Sequence, residues 1–157
     1  MIYSKPCEQA VRALVFLARF PDRRAVRGAE IAEGGCLPLP VLSKVLQELV
    51  RKGLLESQPG PGGGFRLARD PQLIALRDIV AAIDGLNQFS ECAVGLQNCS
   101  DESLCPLHDT WKALRTHVMT YLQVTTLSDM ATAVKRKSGF RSRTKRSRAA
   151  LSPPIGR

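Results

Sequence analysis

The chain has 157 residues, 44% of them hydrophobic, enough for one compact domain or a small domain with an appendage. No apolar run approaches the ~20 residues of a membrane span, and "MIYSKPCEQA" carries no secretory leader pattern, so the expected location is the cytoplasm and no membrane partner is implied. The net charge of +9 is uneven: residues 1–77 hold 12 basic and 7 acidic residues, 78–134 hold 2 and 7, and 135–157 hold 9 and none, so the N-terminal half suits a polyanion and the stretch after it does not.

"EQAVRALVFLARF" repeats apolar residues with the period of an amphipathic helix. "PDRRAV" breaks it. "RGAEIAEGG" reads as a short helix with Ile31 and Ala32 inward and glycines at its end. In "LPLPVLSKVLQELVRKG", Pro40 suits a first helical turn and Gly53 a helix end; Val41, Leu42, Val45, Leu46, Leu49 and Val50 form the apolar stripe. Ser43, Lys44, Gln47, Arg51 and Lys52 take the polar side. Two short helices joined by a tight turn suggest a helix-turn-helix whose second helix reads DNA, although a plain amphipathic helix pair has the same pattern.

"LLESQPGPGGGFRLARD" alternates on both sides of a glycine-rich turn, as a hairpin does. Directly after a reading helix, such a hairpin is a wing. Gly62 and Gly63 would let backbone approach a phosphate, and Arg66 and Arg69 supply charge. No Gly-Lys-Ser/Thr follows, which argues against a nucleotide-phosphate loop. "IALRDIVAAIDG" is a further helix ending at Gly85.

The loop that follows holds Cys92, Cys99 and Cys105, with His108 three positions beyond the last. In a reducing compartment such a cluster binds a metal or acts as redox thiols more often than it forms disulfides. Pro106 opens a helix there, placing Cys105 and His108 on one helical face, and a helix amino terminus favours the Cys105 thiolate. The four residues suit an iron–sulfur cluster, a zinc ion or redox thiols. Zinc sites usually include a closer cysteine pair than the gaps of six and five found here. A nucleophilic Cys105/His108 pair would leave two cysteines without a role, so an enzyme is not expected.

"LHDTWKALRTHVMTYLQVT" is the longest helix. Leu107, Trp111, Leu114, Val118, Tyr121 and Thr125 step by four and three, a coiled-coil-like seam that predicts pairing of two protomers. Thr126 and Asp129 stand at capping-box spacing before a final short helix. The basic segment 135–157 reads as a disordered tail, either solvated or in non-specific contact with nucleic acid. The expected division is a DNA-binding domain over 1–85, a cluster-binding loop over 86–108, a dimerisation helix and a short last helix over 109–134, and the tail.

In order and spacing, "GPGGGFRLARD", "IALRDIVAAIDG" and the three-cysteine loop with "CPLHDTW" resemble the winged-helix regulators that include IscR, NsrR, RirA and CymR, the Rrf-two family, over residues 1 to about 134. The resemblance implies a mainly α fold with a small β-hairpin wing and a long dimerisation helix. It also implies a homodimer that binds double-stranded DNA at an inverted repeat and senses iron–sulfur supply, nitric oxide or redox state. By position, Cys92, Cys99 and Cys105 would be the cluster thiolates and His108 the ligand completing a 2Fe–2S rather than a 4Fe–4S site. Three departures stand out: a first cysteine gap of six where the best-known cluster binders have five, Pro59 where relatives often have arginine, and Cys36 where glycine is common.

Overall fold

The computed structural model describes residues 2–20, 22, 24–96, 100–102 and 105–137. Among these, six α-helices and one two-stranded antiparallel hairpin form a winged helix-turn-helix with a long helix packed beside it. No described helix is long and apolar enough to cross a membrane.

α1 (Lys5–Leu17) starts at Ser4, whose hydroxyl accepts from the Cys7 amide. The same hydroxyl donates to Asp84 Oδ1 at 2.5 Å, and the Ser4 amide donates to Asp84 Oδ2 at 2.8 Å. One carboxylate thereby ties the chain's beginning to the end of α4. α2 (Gly28–Gly35) ends at Cys36, which takes a left-handed φ of 50°. Arg12 braces this turn by donating to the carbonyls of Gly35 and Cys36 at 2.6 and 2.9 Å, where a cation also complements the helix dipole. α3 (Leu39–Arg51) carries Pro40 in its first turn, and Gly53 follows its end with a φ of 69°.

β1 (Leu55–Gln58) and β2 (Gly64–Leu67) pair with Leu55 opposite Leu67 and Glu56 opposite Arg66. A further bridge joins Val26, before α2, to Phe65, with both amide–carbonyl bonds at 2.9 Å. Gly64 makes this approach possible, because a Cβ there would lie 2.3 Å from the Val26 oxygen. The wing is thus stitched to the reading head from outside the hairpin.

α4 (Leu76–Ile83), α5 (His108–Val124) and α6 (residues 127–137) follow. Thr126 and Asp129 cap α6 reciprocally: the Thr126 hydroxyl accepts from the Asp129 amide, and the Asp129 carboxylate accepts from the Thr126 amide. α6 runs through Lys137, three residues into the segment expected as tail; residues 138–157 lie outside the described residues. An antiparallel bridge at Ala75–Thr126 pins the α5–α6 corner to the segment before α4, with Leu76 N to Thr125 O and Leu127 N to Ile74 O both 2.8 Å.

The core lies between α1, α3 and α4, with α2, the wing and the α5–α6 corner closing it. Leu14, Ile31, Leu42, Leu46, Leu49, Ile79, Leu122 and Leu127 are fully buried in it. Losing a buried leucine side chain to alanine costs about 2–5 kcal/mol, so this cluster dominates the stability of the reading head. The apolar stripe of α3 is narrower than its sequence suggests. Val41 is 44% exposed and Val50 half-buried, because α3 meets the core along only one flank.

Candidate nucleic-acid interface and cysteine loop

α3 turns Leu42, Val45, Leu46 and Leu49 inward, which leaves Ser43, Lys44, Gln47 and Arg51 exposed on the opposite face. These four residues line one shallow depression of about 550 Å³. The Ser43 hydroxyl donates to the Leu39 carbonyl at 3.0 Å, and Arg51 pairs with Glu48 one turn back. Lys44 and Gln47 project between them without an intramolecular polar partner among the described residues.

In the wing, Gly62 sits at the exposed tip with a φ of 82°. Gly63 is buried, and a Cβ on it would lie 2.2 Å from the Gln58 carbonyl. The hairpin's own backbone therefore demands Gly63, whatever else approaches the tip. Arg66 is less free than its sequence context suggests. Its Nε and Nη2 meet Glu56 Oε2 at 2.8 and 2.7 Å across the strand pair, with both side chains about half exposed. An exposed pair of this kind contributes little to stability, so the guanidinium can exchange Glu56 for another anion at small cost.

The cysteines divide by environment. Cys7 is fully buried on α1, where burial first and nearby acidic groups second push its thiol up to about 12, so it is a packed and unreactive side chain. Cys36 is exposed. Cys92 and Cys105 are half-buried thiols at the two sides of the loop between α4 and α5. Cys99 lies outside the described residues. His108 opens α5 and is only 7% exposed, with Nε2 2.9 Å from Asp101 Oδ1. An ionised carboxylate only accepts, so this contact places the proton on Nε2. Lys112 also binds Asp101 Oδ1, at 2.5 Å. Hydrogen bonds from Lys112 and then His108 hold the Asp101 carboxyl below its ordinary range. Among the described residues no three His, Cys, Asp or Glu side chains converge on a metal-sized site.

The seam of α5 splits. Trp111 and Val118 turn toward their own chain: the indole donates to the Glu91 carbonyl at 2.9 Å, and Val118 packs against the core. Leu114 and Tyr121 stay 55% and 47% exposed, flanked by Leu107 and Val124. The unpartnered stripe thus keeps the seven-residue spacing of Leu107, Leu114 and Tyr121 but is rotated away from Trp111 and Val118.

The sequence model of the Rrf2 family, described as an iron-dependent transcriptional regulator, matches residues 3–133. The chain belongs to the Rrf2 family. It is 31% identical to the HTH-type transcriptional regulator IscR of Vibrio parahaemolyticus over 123 residues, 78% of this chain and 73% of that protein. The structure of T. potens IscR superposes with a TM-score of 0.68 at 25% identity, covering 83% of this chain and 86% of that one. CymR (YrzC), the global cysteine regulator of B. subtilis, shares the fold with a TM-score of 0.72 at 24% identity, covering 83% and 95%. This Rrf2 protein is accordingly a DNA-binding transcriptional regulator with a winged-helix fold, and not an enzyme.

Four residues of this Rrf2 regulator were missed by reading the sequence. Glu56 holds the wing arginine, Asp101 holds His108, Arg12 braces the helix-turn-helix corner and Val124 joins the exposed stripe. Strand register would have found Glu56, since a two-residue periodicity around a symmetric turn places it opposite Arg66. Contacts such as Arg12 to Gly35 join residues far apart in the chain and leave no periodic signal.

Proposed function

We propose that two copies of this Rrf2 regulator read an inverted-repeat operator. In this reading an iron–sulfur cluster, 2Fe–2S rather than 4Fe–4S, held by Cys92, Cys99, Cys105 and His108, sets their affinity for it. The observation that carries the DNA surface is the gathering of Ser43, Lys44, Gln47 and Arg51 on the exposed face of α3, directly before a glycine-tipped wing. Ser43, Lys44 and Gln47 would meet base edges and phosphates in the major groove, and Arg51 and Arg66 the backbone. The exposed Leu114 and Tyr121, with Trp111 and Val118 holding α5 on its own chain, would pair the protomers.

The donors fit the cluster in kind: two half-buried thiols border the loop, and an imidazole stands at the start of α5. With its proton on Nε2, His108 would ligate through Nδ1, and the bond to Asp101 would hold the ring in place. When bound, the cluster supplies a centre whose integrity depends on iron, sulfide and oxidants. The chain's own part is mechanical. The far end of α5 is pinned at Ala75–Thr126, so constraint of the loop acts on its near end, at His108. Cys92 and Cys105 would thereby hold the angle between reading head and dimer axis. A second reading rests on Cys36, an exposed thiol in a left-handed turn beside α3. It makes the protein a cluster-free thiol-based redox regulator; in the zinc-bound form of the second reading, Cys92, Cys99, Cys105 and His108 would hold zinc in place of the cluster.

Anaerobic purification followed by operator titration separates these readings. Coloured protein with iron and sulfide, whose operator affinity changes severalfold on chelation, is the expected result. Colourless protein with stoichiometric zinc, or metal-free protein whose DNA binding follows oxidation of Cys36, supports the second reading. Equal affinities with and without the cluster reduce it to a structural part.

The wing has its own test. Arg66→Ala should weaken binding and reduce the slope of log affinity against log salt by about 0.9, the contribution of one neutralised phosphate. Glu56→Gln removes the competing carboxylate and should tighten binding at low salt. Unchanged slopes in both variants would remove Arg66 from the interface.

A further inference from the structure

An open cleft of about 610 Å³ lies between α4, the 3₁₀ turn Asn87–Phe89 and α5. Arg77 enters it from α4 and Arg115 from α5; Phe89 and Met119 give it an apolar wall, and Asn87 and Ser90 its polar rim. We propose that this cleft binds a small organic anion, a carboxylate or phosphate monoester carrying an apolar group, which acts as an effector of the regulator.

Charge carries the inference first. Residues 78–134 hold seven acidic side chains and only two basic ones, Lys112 and Arg115. Lys112 is neutralised by Asp101 at 2.5 Å. Arg115 makes only a long bond, 3.4 Å, to the Ser90 carbonyl, and among the described residues neither it nor Arg77 has a carboxylate partner. Two half-buried guanidinium groups without a carboxylate partner among the described residues, Arg77 at the end of the basic stretch and Arg115 in the acidic one after it, share one concave site. Planar guanidinium forks suit carboxylate and phosphate oxygens, and an adjoining phenyl ring and thioether suit an apolar group.

Position carries it further. At 100° per residue, Arg115 and Met119 lie on a different flank of α5 from Leu114 and Tyr121, so pairing through the exposed stripe leaves the cleft open. The cleft spans the reading head (Arg77) and the long helix (Arg115), with the first turn of the cysteine loop between them. A ligand bridging the two arginines would bias the same angle that the proposed cysteine ligands hold. The effector role rests on the proposed function; the binding itself does not.

The test is titration of the full chain with phenyl phosphate, benzoate, inorganic phosphate and benzyl alcohol, without DNA. Calorimetry is one readout. The other is fluorescence of Trp111, the single tryptophan, whose indole is bonded to Glu91 beside the cleft turn. Saturable one-site binding of phenyl phosphate or benzoate is expected, with inorganic phosphate weaker and benzyl alcohol silent; the stronger aromatic probe distinguishes phosphate from carboxylate ligands. Arg77→Gln and Arg115→Gln should each weaken binding by about tenfold or more, Arg115→Lys should restore part of it, and Arg66→Gln should change nothing. Absence of saturation overturns the proposal. So does binding indifferent to Arg77→Gln and Arg115→Gln in folded protein, and so does equal loss in Arg66→Gln, which marks a generic basic surface. Failure here leaves operator binding and its dependence on the cluster untouched, because neither enters the measurement.

Discussion

Leu114→Glu is expected to halve the solution mass of the protein and to weaken operator binding by roughly 100-fold or more, the advantage that linking two half-site contacts supplies. Leu114 is 55% exposed and outside the core cluster, so the substitution leaves the folded chain intact. In a paired seam the same carboxylate would be desolvated without a partner, at a cost of several kcal/mol. Val118 is a poorer probe, because its side chain packs on its own core and a charge there would disturb folding and pairing together. Light scattering and operator titration of wild type and variant decide the matter. An unchanged dimeric mass moves the interface off α5, and a monomeric wild type removes the dimer altogether.

Cys105→Ala should abolish visible absorbance and iron content while leaving a folded protein, and should shift operator affinity by about tenfold. Such a shift needs only about 1.4 kcal/mol of coupling between loop and reading head. The folding part of this expectation comes from burial: Cys105 is half-buried at a loop edge and absent from the core, whereas Cys7 is fully buried within it. Cys7→Ala should therefore keep the colour and lose some stability, and Cys36→Ser should keep both. Loss of oxidant response in Cys36→Ser, with no colour in any variant, would instead establish the thiol-based reading. A Cys105→Ala chain that unfolds would reduce the bound group to a structural role.

What residues near in sequence settle among themselves is legible in the sequence alone. Helical periodicity locates α1 to α5 within a few residues, the glycine-rich turn between alternating strands locates the wing, and the Thr126/Asp129 spacing locates the cap of α6. The polar face of α3 follows from the same periodicity, since a helix that buries Leu42, Leu46 and Leu49 must expose Ser43, Lys44 and Gln47. Other features require the chain to be folded. The stripe from Leu107 to Tyr121 has one spacing whether it faces a partner or its own core; only the folded chain turns Val118 onto the core and Trp111 onto the Glu91 carbonyl and leaves Leu114 and Tyr121 outside. The pairing of Val26 with Phe65 and the tether of Ser4 to Asp84 join residues about 40 and 80 positions apart, where loop closure is decided by the whole core and by no local preference. In the sequence Arg77 and Arg115 are isolated charges on two helices. They come to share one cleft only because α4 and α5 pack side by side, with no carboxylate among the described residues that line it.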